Sequence, residues 1–546
     1  MTASDRAASE QQERVPESGP VQDRVPESGL AQDRVPESEP VQDRVPAPAA
    51  LSVAVIGTGT MGQGIAQVAL LAGHHVYLHD AAPGRAKEAV GDITARLDRL
   101  VEKGRLTSGA RHQARSRLVP VTSLGALFDC GLVIEAVTEQ LAVKQELFRE
   151  LEKTVSDECL LATNTSSLSV TAIAGALRVP GRFVGMHFFN PAPLLPLVEI
   201  VSGYATDEAA ASRAYGIARA WGKTPVRSAD TPGFIVNRIA RPFYAEAFRL
   251  YEERAADPAT IDAVLRECGG FRMGPFELTD LIGQDVNEAV TRSVWESFFQ
   301  DPKFTPSLAQ QRLVQSGRLG RKSGQGWFSY EEGAARPEPR TEPPADAPRS
   351  ITVRGDLGIA KPLVQMAQEA GIEVDFEDDD HEALIKLPGG GRLFLADGSF
   401  PGAYPDGVHF DWSFDYRAAT RIALGAGPQE SERTVAEATG FFQALGKKVT
   451  LLGDVPGLVV ARTVAMLVDF AADAAGRGIA SADDIDTAMR LGVNYPVGLL
   501  AWSDSSRDLT FVNVLDELHQ AHPTGRYGPS VGLYHRGTAK IAEDHR

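Results

Sequence analysis

Cysteine is scarce in this chain: Cys130, Cys159 and Cys268 are the three among 546 residues. An odd count without paired spacing builds neither a disulfide framework nor a zinc motif, so no metal site is expected and a reducing cytoplasm suits the sequence. Positive charge is also short. Lys and Arg number 55 against 72 Asp and Glu, a formal net charge of −17. That balance excludes the broad basic face needed by a nucleic-acid partner and disfavours an anionic membrane surface. No apolar run approaches the roughly 20 residues of a membrane span. The first fifty residues carry no apolar segment of signal-peptide type. Apolar residues are present in ordinary proportion, at 43%, enough for several packed domains.

The N-terminus holds tandem ten-residue units, RVPESGPVQD, RVPESGLAQD and RVPESEPVQD, starting at Arg14, Arg24 and Arg34. Rich in Pro, Glu, Ser and Gln, residues 1–50 read as a disordered tail. From Leu51 to Ala229 short apolar runs alternate with helical patterns. SVAVIG, HVYLHD, LVIEAV, CLLATNTS and RFVGMHFF are the strands of an expected parallel, doubly wound α/β sheet. Residues 230–330 read as amphipathic helices and 331–348 as a Pro- and Glu-rich linker. Residues 349–430 look like a second strand–helix–strand unit, and 431–546 like a second helical domain.

The second helical block repeats the first at a gapless shift of 224 residues. Gly222-Lys223 falls on Gly446-Lys447, Asp230 on Asp454, Pro232-Gly233 on Pro456-Gly457 and Arg238 on Arg462. Asp262, Gly274 and Asp280 fall on Asp486, Gly498 and Asp504. Duplication is the reading. Asn237 becomes Ala461 in the second copy, and no counterpart of the segment around His187 is expected near it.

Gly57-Thr58-Gly59-Thr60-Met61-Gly62 follows the strand SVAVI and opens a helix. The first Gly allows a tight turn, the second a close approach by pyrophosphate, and the third close packing of helix on strand. Asp80 ends the next strand, 18 residues past Gly62 (80 − 62). A carboxylate there accepts from ribose hydroxyls and repels a 2′-phosphate, so the expected cofactor is NAD. Gly355-Asp356-Leu357-Gly358 in the second unit lacks the three-glycine pattern, and no dinucleotide is expected there.

Polar residues in apolar settings mark the candidate chemistry. His187 lies between RFVGM and two Phe residues, where burial would favour a neutral, proton-accepting imidazole. Glu199, inside the apolar LVEI, is the obvious group to bind its other ring nitrogen. Ser166 and Asn237 offer neutral hydrogen-bond groups to a substrate oxygen. Each has a plainer reading, as a loop serine and a helix cap.

Taken together, NTSSL, HFFNP, LVEI and DTPGFIVNR make Leu51 to Tyr330 resemble the 3-hydroxyacyl-CoA dehydrogenase family. The resemblance implies a Rossmann-type NAD-binding domain followed by an all-α domain. The remainder resembles longer bacterial members with a degenerate Rossmann-like domain and a second all-α domain, some serving 3-hydroxybutyryl-CoA or 3-hydroxyadipyl-CoA. It implies His187 as base, Glu199 as its partner, and Ser166 and Asn237 as substrate-binding groups. Cofactor contacts are implied for Asp80, Glu139, Lys144, Ser166, Asn190 and Lys322. Lys103 falls where the family uses a lysine on the CoA part, and Arg96 where some members have a CoA-contacting Ser. In the family the helical domain is where subunits meet, so the duplicate is expected to make a pseudo-dimer within one chain or to support a homo-oligomer. Two rivals stand beside this reading: a dehydrogenase of a free hydroxy acid, and a non-catalytic NAD-binding scaffold.

Overall fold

The computed structural model describes residues 51–378, 382–504 and 509–544; the ten-residue repeats lie outside the described residues. Eight strands form the first sheet. They are β1 Ser52–Ile56, β2 His75–His79, β3 Leu118–Val121, β4 Leu132–Glu135, β5 Leu160–Thr163, β6 Phe183–Phe188, β7 Leu197–Ser202 and β8 Thr224–Ala229. Their spatial order is β3-β2-β1-β4-β5-β6-β7-β8. Leu, Ile, Val and Phe cover both faces: Ile65, Ile93 and Leu97 pack on one, Phe148, Leu151 and Phe183 on the other. Each such side chain contributes about 1.5–3 kcal/mol on burial.

One pair departs from the expected all-parallel sheet. β6 and β7 run antiparallel, with His187 opposite Glu199. A short connection, too short for a crossover helix, reverses the chain between them. This reversal is what sets the two polar residues side by side. β3 is short and β8 mixes polar with apolar residues, and each contains a Pro; they form the two sheet edges, where that composition is tolerated.

The first helical region includes Val236–Ile239, Arg241–Glu252, Pro258–Glu267, Pro275–Ile282, Gln284–Ser297 and Leu308–Gln315. The repeated residues turn out to be its fastenings. The Asp262 carboxylate accepts from the amides of Phe276 and Glu277, both at 2.9 Å. Asp486 does the same for Leu500 and Ala501, both at 2.9 Å. A Cβ on Gly274 would sit 2.2 Å from the Asp262 carboxyl carbon, and one on Gly498 2.6 Å from Asp486 Oδ2, so a side chain at either position would displace the fastening carboxylate. The ammonium of Lys223 donates to the Leu195 carbonyl and that of Lys447 to the Ala419 carbonyl.

The second sheet has seven strands: β9 Ser350–Arg354, β10 Glu373–Glu377, β11 Leu384–Lys386, β12 Arg392–Leu395, β13 Gly407–Phe410, β14 Arg421–Ala426 and β15 Lys448–Leu452. Their order is β10-β9-β11-β12-β13-β14-β15. The sheet therefore runs past residue 430, where the sequence suggested its end. The helix Glu432–Ala444 and β15 belong with it, not with the second helical block. Residues 334–348 form no regular element. They are strapped to the sheet: Glu342 N donates to Val449 O and Thr450 Oγ1 to Arg340 O.

The duplication reaches further into the second sheet than the sequence disclosed. β14 occupies β7's bounds plus 224, and β13–β14 pair antiparallel, as β6–β7 do. Asp411 N donates to Ala423 O at 3.0 Å. Shifted back by 224, that pair is His187 and Glu199. The segment around His187 thus does have a counterpart, contrary to expectation. It was hidden because its two polar residues changed identity.

The two copies also complete each other. Ala229 N, at the end of β8, donates to Ile479 O at 2.7 Å, and Gly453 N, just past β15, donates to Ala255 O at 3.1 Å. These two bonds are one contact and its image (229 + 224 = 453; 255 + 224 = 479), the signature of a two-fold interface. One continuous core takes in both helical regions and the second sheet. At its centre the buried Glu246 accepts from Arg462 Nε, Arg526 Nε and Tyr527 Oη at 2.7–2.9 Å. Arg238 reaches in the other direction, to Asp473 at 2.7 Å.

Candidate functional site

The glycine-rich turn has three distinct geometries. Gly57 has φ +93°, and a Cβ there would meet Ala136 O at 2.5 Å. A Cβ on Gly62 would meet Gly57 O at 1.9 Å. Gly59 faces open space, with nothing within 4 Å of a Cβ. The helix Thr60–Leu71 starts immediately after it, with Thr60 and Met61 in its first turn and its amides directed at that opening. Asp80 stands beside the turn, accepting from Thr58 N (2.9 Å), Thr58 Oγ1 (2.7 Å) and Ala82 N (3.0 Å). Partial burial pushes its carboxyl up, but these bonds and the charge of Arg85 outweigh that and hold it below the ordinary value. An open, amide-lined turn with an ionised acid at its side fits a dinucleotide with free ribose hydroxyls.

The next layer fixes Ser166. Lys144 is fully buried, its Nζ between Glu135 Oε1 (2.6 Å) and Glu139 Oε2 (3.1 Å). Glu135 also accepts from Val137 N and Thr163 Oγ1, both at 2.7 Å. Glu139 Oε1 accepts from Thr165 Oγ1 (2.6 Å), Ser166 N (2.8 Å) and Ser167 N (3.1 Å). Burial pushes the Glu139 carboxyl up, and Lys144 with these donors brings it below its usual value. Glu139 and Lys144 therefore brace the serine loop, and in this conformation the lysine reaches outward only through Glu139. Glu135 escaped the sequence reading, although LVIEAV carried the same signal as LVEI: a lone acid in an apolar strand. Asn164 was also missed; its Oδ1 accepts from Phe188 N at 2.8 Å and ties the serine loop to the His187 segment.

His187 is buried, with Phe189 and Phe234 against its ring at 4.5 and 5.7 Å between centroids. Its Nδ1 lies 2.6 Å from Glu199 Oε2. Glu199 is 0% exposed and uses its other oxygen to accept from Ile235 N (3.1 Å) and Val236 N (2.9 Å). Those amides open the helix Val236–Ile239, which carries Asn237. They are aimed by a left-handed turn at Gly233 (φ +77°) and Phe234 (φ +49°), a conformation costing on the order of 1–3 kcal/mol for the Phe. One carboxylate thus joins the histidine to the start of the helix that carries Asn237, at the junction between sheet and helices.

The other residues expected at the site are exposed or bonded elsewhere. Asn190 is exposed just past β6. Lys322 is exposed and paired with Asp285 at 2.6 Å. Lys103 is exposed directly after the helix Arg85–Glu102. Arg96 is spent on structure, donating to Gln67 (3.1 Å) and Gln63 (2.8 Å) of the first helix.

Comparison with known proteins identifies the family. Residues 52–231 match the 3-hydroxyacyl-CoA dehydrogenase NAD-binding domain. The family's C-terminal domain matches twice, at 233–330 and 457–537. Residues 401–456 match a 3-hydroxybutyryl-CoA dehydrogenase reduced Rossmann-fold domain. The chain is 44% identical over 485 residues to a 3-hydroxyadipyl-CoA dehydrogenase of Escherichia coli, covering 89% of this chain and 97% of that one. A 3-hydroxybutyryl-CoA dehydrogenase of Mycobacterium tuberculosis is 40% identical over 280 residues, covering 51% of this chain and 98% of that one. A crystal structure of a 3-hydroxybutyryl-CoA dehydrogenase from Escherichia coli superposes with a TM-score of 0.82 at 40% identity, covering 90% of this chain and 99% of that one. The chain therefore belongs to the 3-hydroxyacyl-CoA dehydrogenase family and is an NAD-dependent oxidoreductase of 3-hydroxyacyl-CoA thioesters.

Proposed function

We propose that His187 is the general base of a single active site, set where the first sheet meets the first helical region. The observation that carries this reading is the 2.6 Å bond from His187 Nδ1 to a fully buried Glu199. A carboxylate only accepts, so Nδ1 carries the hydrogen and Nε2 presents its lone pair. Nε2 takes the proton of the substrate 3-hydroxyl, and Glu199 stabilises the imidazolium that results. Ser166 and Asn237 hold the 3-oxygen by hydrogen bonds while it changes from hydroxyl to carbonyl. NAD, when bound across Gly57, Gly59 and Gly62 with its ribose at Asp80, supplies the hydride acceptor. Glu139 and Lys144 keep the Ser166 loop in place. Asn190 and Lys322 border the cofactor, and Lys103 meets the CoA part. The named relatives support short acyl chains of the 3-hydroxybutyryl or 3-hydroxyadipyl kind.

The second copy is an internal partner, so that one polypeptide forms a pseudo-dimer. The reciprocal bonds from Ala229 to Ile479 and from Gly453 to Ala255 support this reading.

The test is NADH oxidation by the purified chain with acetoacetyl-CoA, beside His187→Ala. Wild type should turn over, and the variant, compared as folded protein, should lose about 10³–10⁴-fold in kcat. Comparable turnover by both would exclude His187 as the base.

A further inference from the structure

Six arginines are buried among the described residues: Arg182, Arg238, Arg241, Arg421, Arg462 and Arg526. Five have a carboxylate partner: Arg182 has Glu152, Arg238 has Asp473, Arg421 has Glu267, and Arg462 and Arg526 share Glu246. Arg241 has none among the described residues. Its guanidinium donates to neutral groups only, from Nε to Asn237 O at 2.7 Å and from Nη1 to Thr291 Oγ1 at 3.0 Å, and it lies 5.2 Å from the centre of the Tyr244 ring. Burial pulls its pKa below the usual arginine range, and the two neighbouring phenols, Tyr244 and Tyr495, oppose this only in part. A buried cation without a counter-charge is strongly unfavourable.

A second, independent feature points to a missing anion. Tyr495 is 6% exposed, and its buried Oη has no hydrogen-bond partner. It comes from the second helical copy, packs on Phe271 and on Phe243, two residues past Arg241, and lies within electrostatic range of that guanidinium. A phenol hydroxyl beside an unpaired guanidinium is a donor pair without its acceptor.

The duplication supplies an internal control. Arg238, which serves the interface, persists as Arg462. Arg241, Tyr244 and Thr291 become Ala465, Val468 and Leu515 in the copy that also lost the Asn. Ala465, Val468 and Leu515 are all buried core residues. The polar set is therefore no requirement of the helical fold; it accompanies the active copy.

We propose that Arg241 and Tyr495 bind the terminal carboxylate of an ω-carboxylated 3-hydroxyacyl chain and so select acyl-CoA substrates derived from dicarboxylic acids. This rests on the reading that Asn237 holds the 3-oxygen. Arg241 lies one helical turn beyond Asn237, about 6 Å along the axis. In a six-carbon chain the distal carboxylate lies about 4–5 Å from the carbinol carbon by ordinary C–C geometry. The bidentate fork of arginine suits a carboxylate, and the duplicated domain would then contribute a side chain to the substrate pocket.

The test compares kcat/KM for NADH-dependent reduction of 3-oxoadipyl-CoA and 3-oxohexanoyl-CoA, which differ only in carboxylate against methyl at the last carbon. Wild type should favour the former by about a hundredfold or more, because a site built for a polar group rejects the analogue lacking it. Arg241→Met should bring the ratio near one, and Tyr495→Phe should lower it by about tenfold. Should Arg241→Met fail to fold, Tyr495→Phe, which removes one oxygen, decides alone. Equal rates on both substrates in wild type, or a ratio untouched by either variant, would overturn the carboxylate site while leaving the dehydrogenase reading intact. Reduction of neither substrate, nor of acetoacetyl-CoA, would overturn both.

Discussion

Two buried carboxylates, one in each copy, hold the same helix start in different ways. In the first copy Glu199 accepts from Ile235 and Val236 and keeps its second oxygen for His187. In the second, Asp411 stands where the histidine was and accepts from Val459, Val460 and Ala461 at 2.8–3.0 Å. The turns that present these amides match: Phe234 and Leu458 have φ of +49° and +51°. The cap is a demand of the fold, because buried amides at a helix start need an acceptor. The proposed chemistry requires in addition that the acceptor keep an oxygen free for a histidine N–H. The second copy kept the first requirement and dropped the second.

The largest difference to test is chemical. His187→Ala should remove about 10³-fold or more of turnover, whereas the positional counterpart, Asp411→Ala, should leave the turnover of folded protein in place. The next lies at the interface between copies. Glu246→Gln leaves Arg462 and Arg526 without their shared charge and should cost about 3–5 kcal/mol in urea unfolding. Burial raises the Glu246 carboxyl, but Arg526 and Arg462 more than offset this and bring it from 4.5 to about 2. A depressed acid contributes stability that is full above its ordinary value and fades as pH falls through the folded one. The Tm gap between wild type and Glu246→Gln should thus be widest near neutral pH and close between about 4.5 and 2. A gap independent of pH would remove the charge from the explanation. The smallest effect belongs to the cap itself. Asp411→Ala strands three buried amides and should cost about 2–4 kcal/mol. An unchanged unfolding midpoint for Asp411→Ala would show that the helix start needs no such acceptor.

Much of this was legible in the chain. GTGTMG with Asp80 announced the cofactor turn, because close backbone approach leaves glycine no substitute. LVEI announced Glu199, because a charge in an apolar strand must have a partner. The 224-residue repeat surfaced where its residues are fastenings, such as Asp262 with Gly274, since those tolerate no change. It vanished at Asp411 and Ala423, where only the strand pairing was retained. β3 and β8 were missed because each is an edge strand that contains a Pro, β3 only four residues long and β8 part polar. The β6–β7 reversal was missed because loop length, not composition, dictates it. Arg241 gave no signal at all: an arginine on a helix reads as solvated until its burial and lack of a partner are seen.

Two copies of the fold should carry one chemistry. Titration of the full-length chain with NADH, followed by nucleotide fluorescence, counts the sites directly. One NADH per chain is expected, bound at the Gly57–Gly62 turn. Two equivalents bound with similar affinity would make the second sheet a working cofactor domain and contradict it.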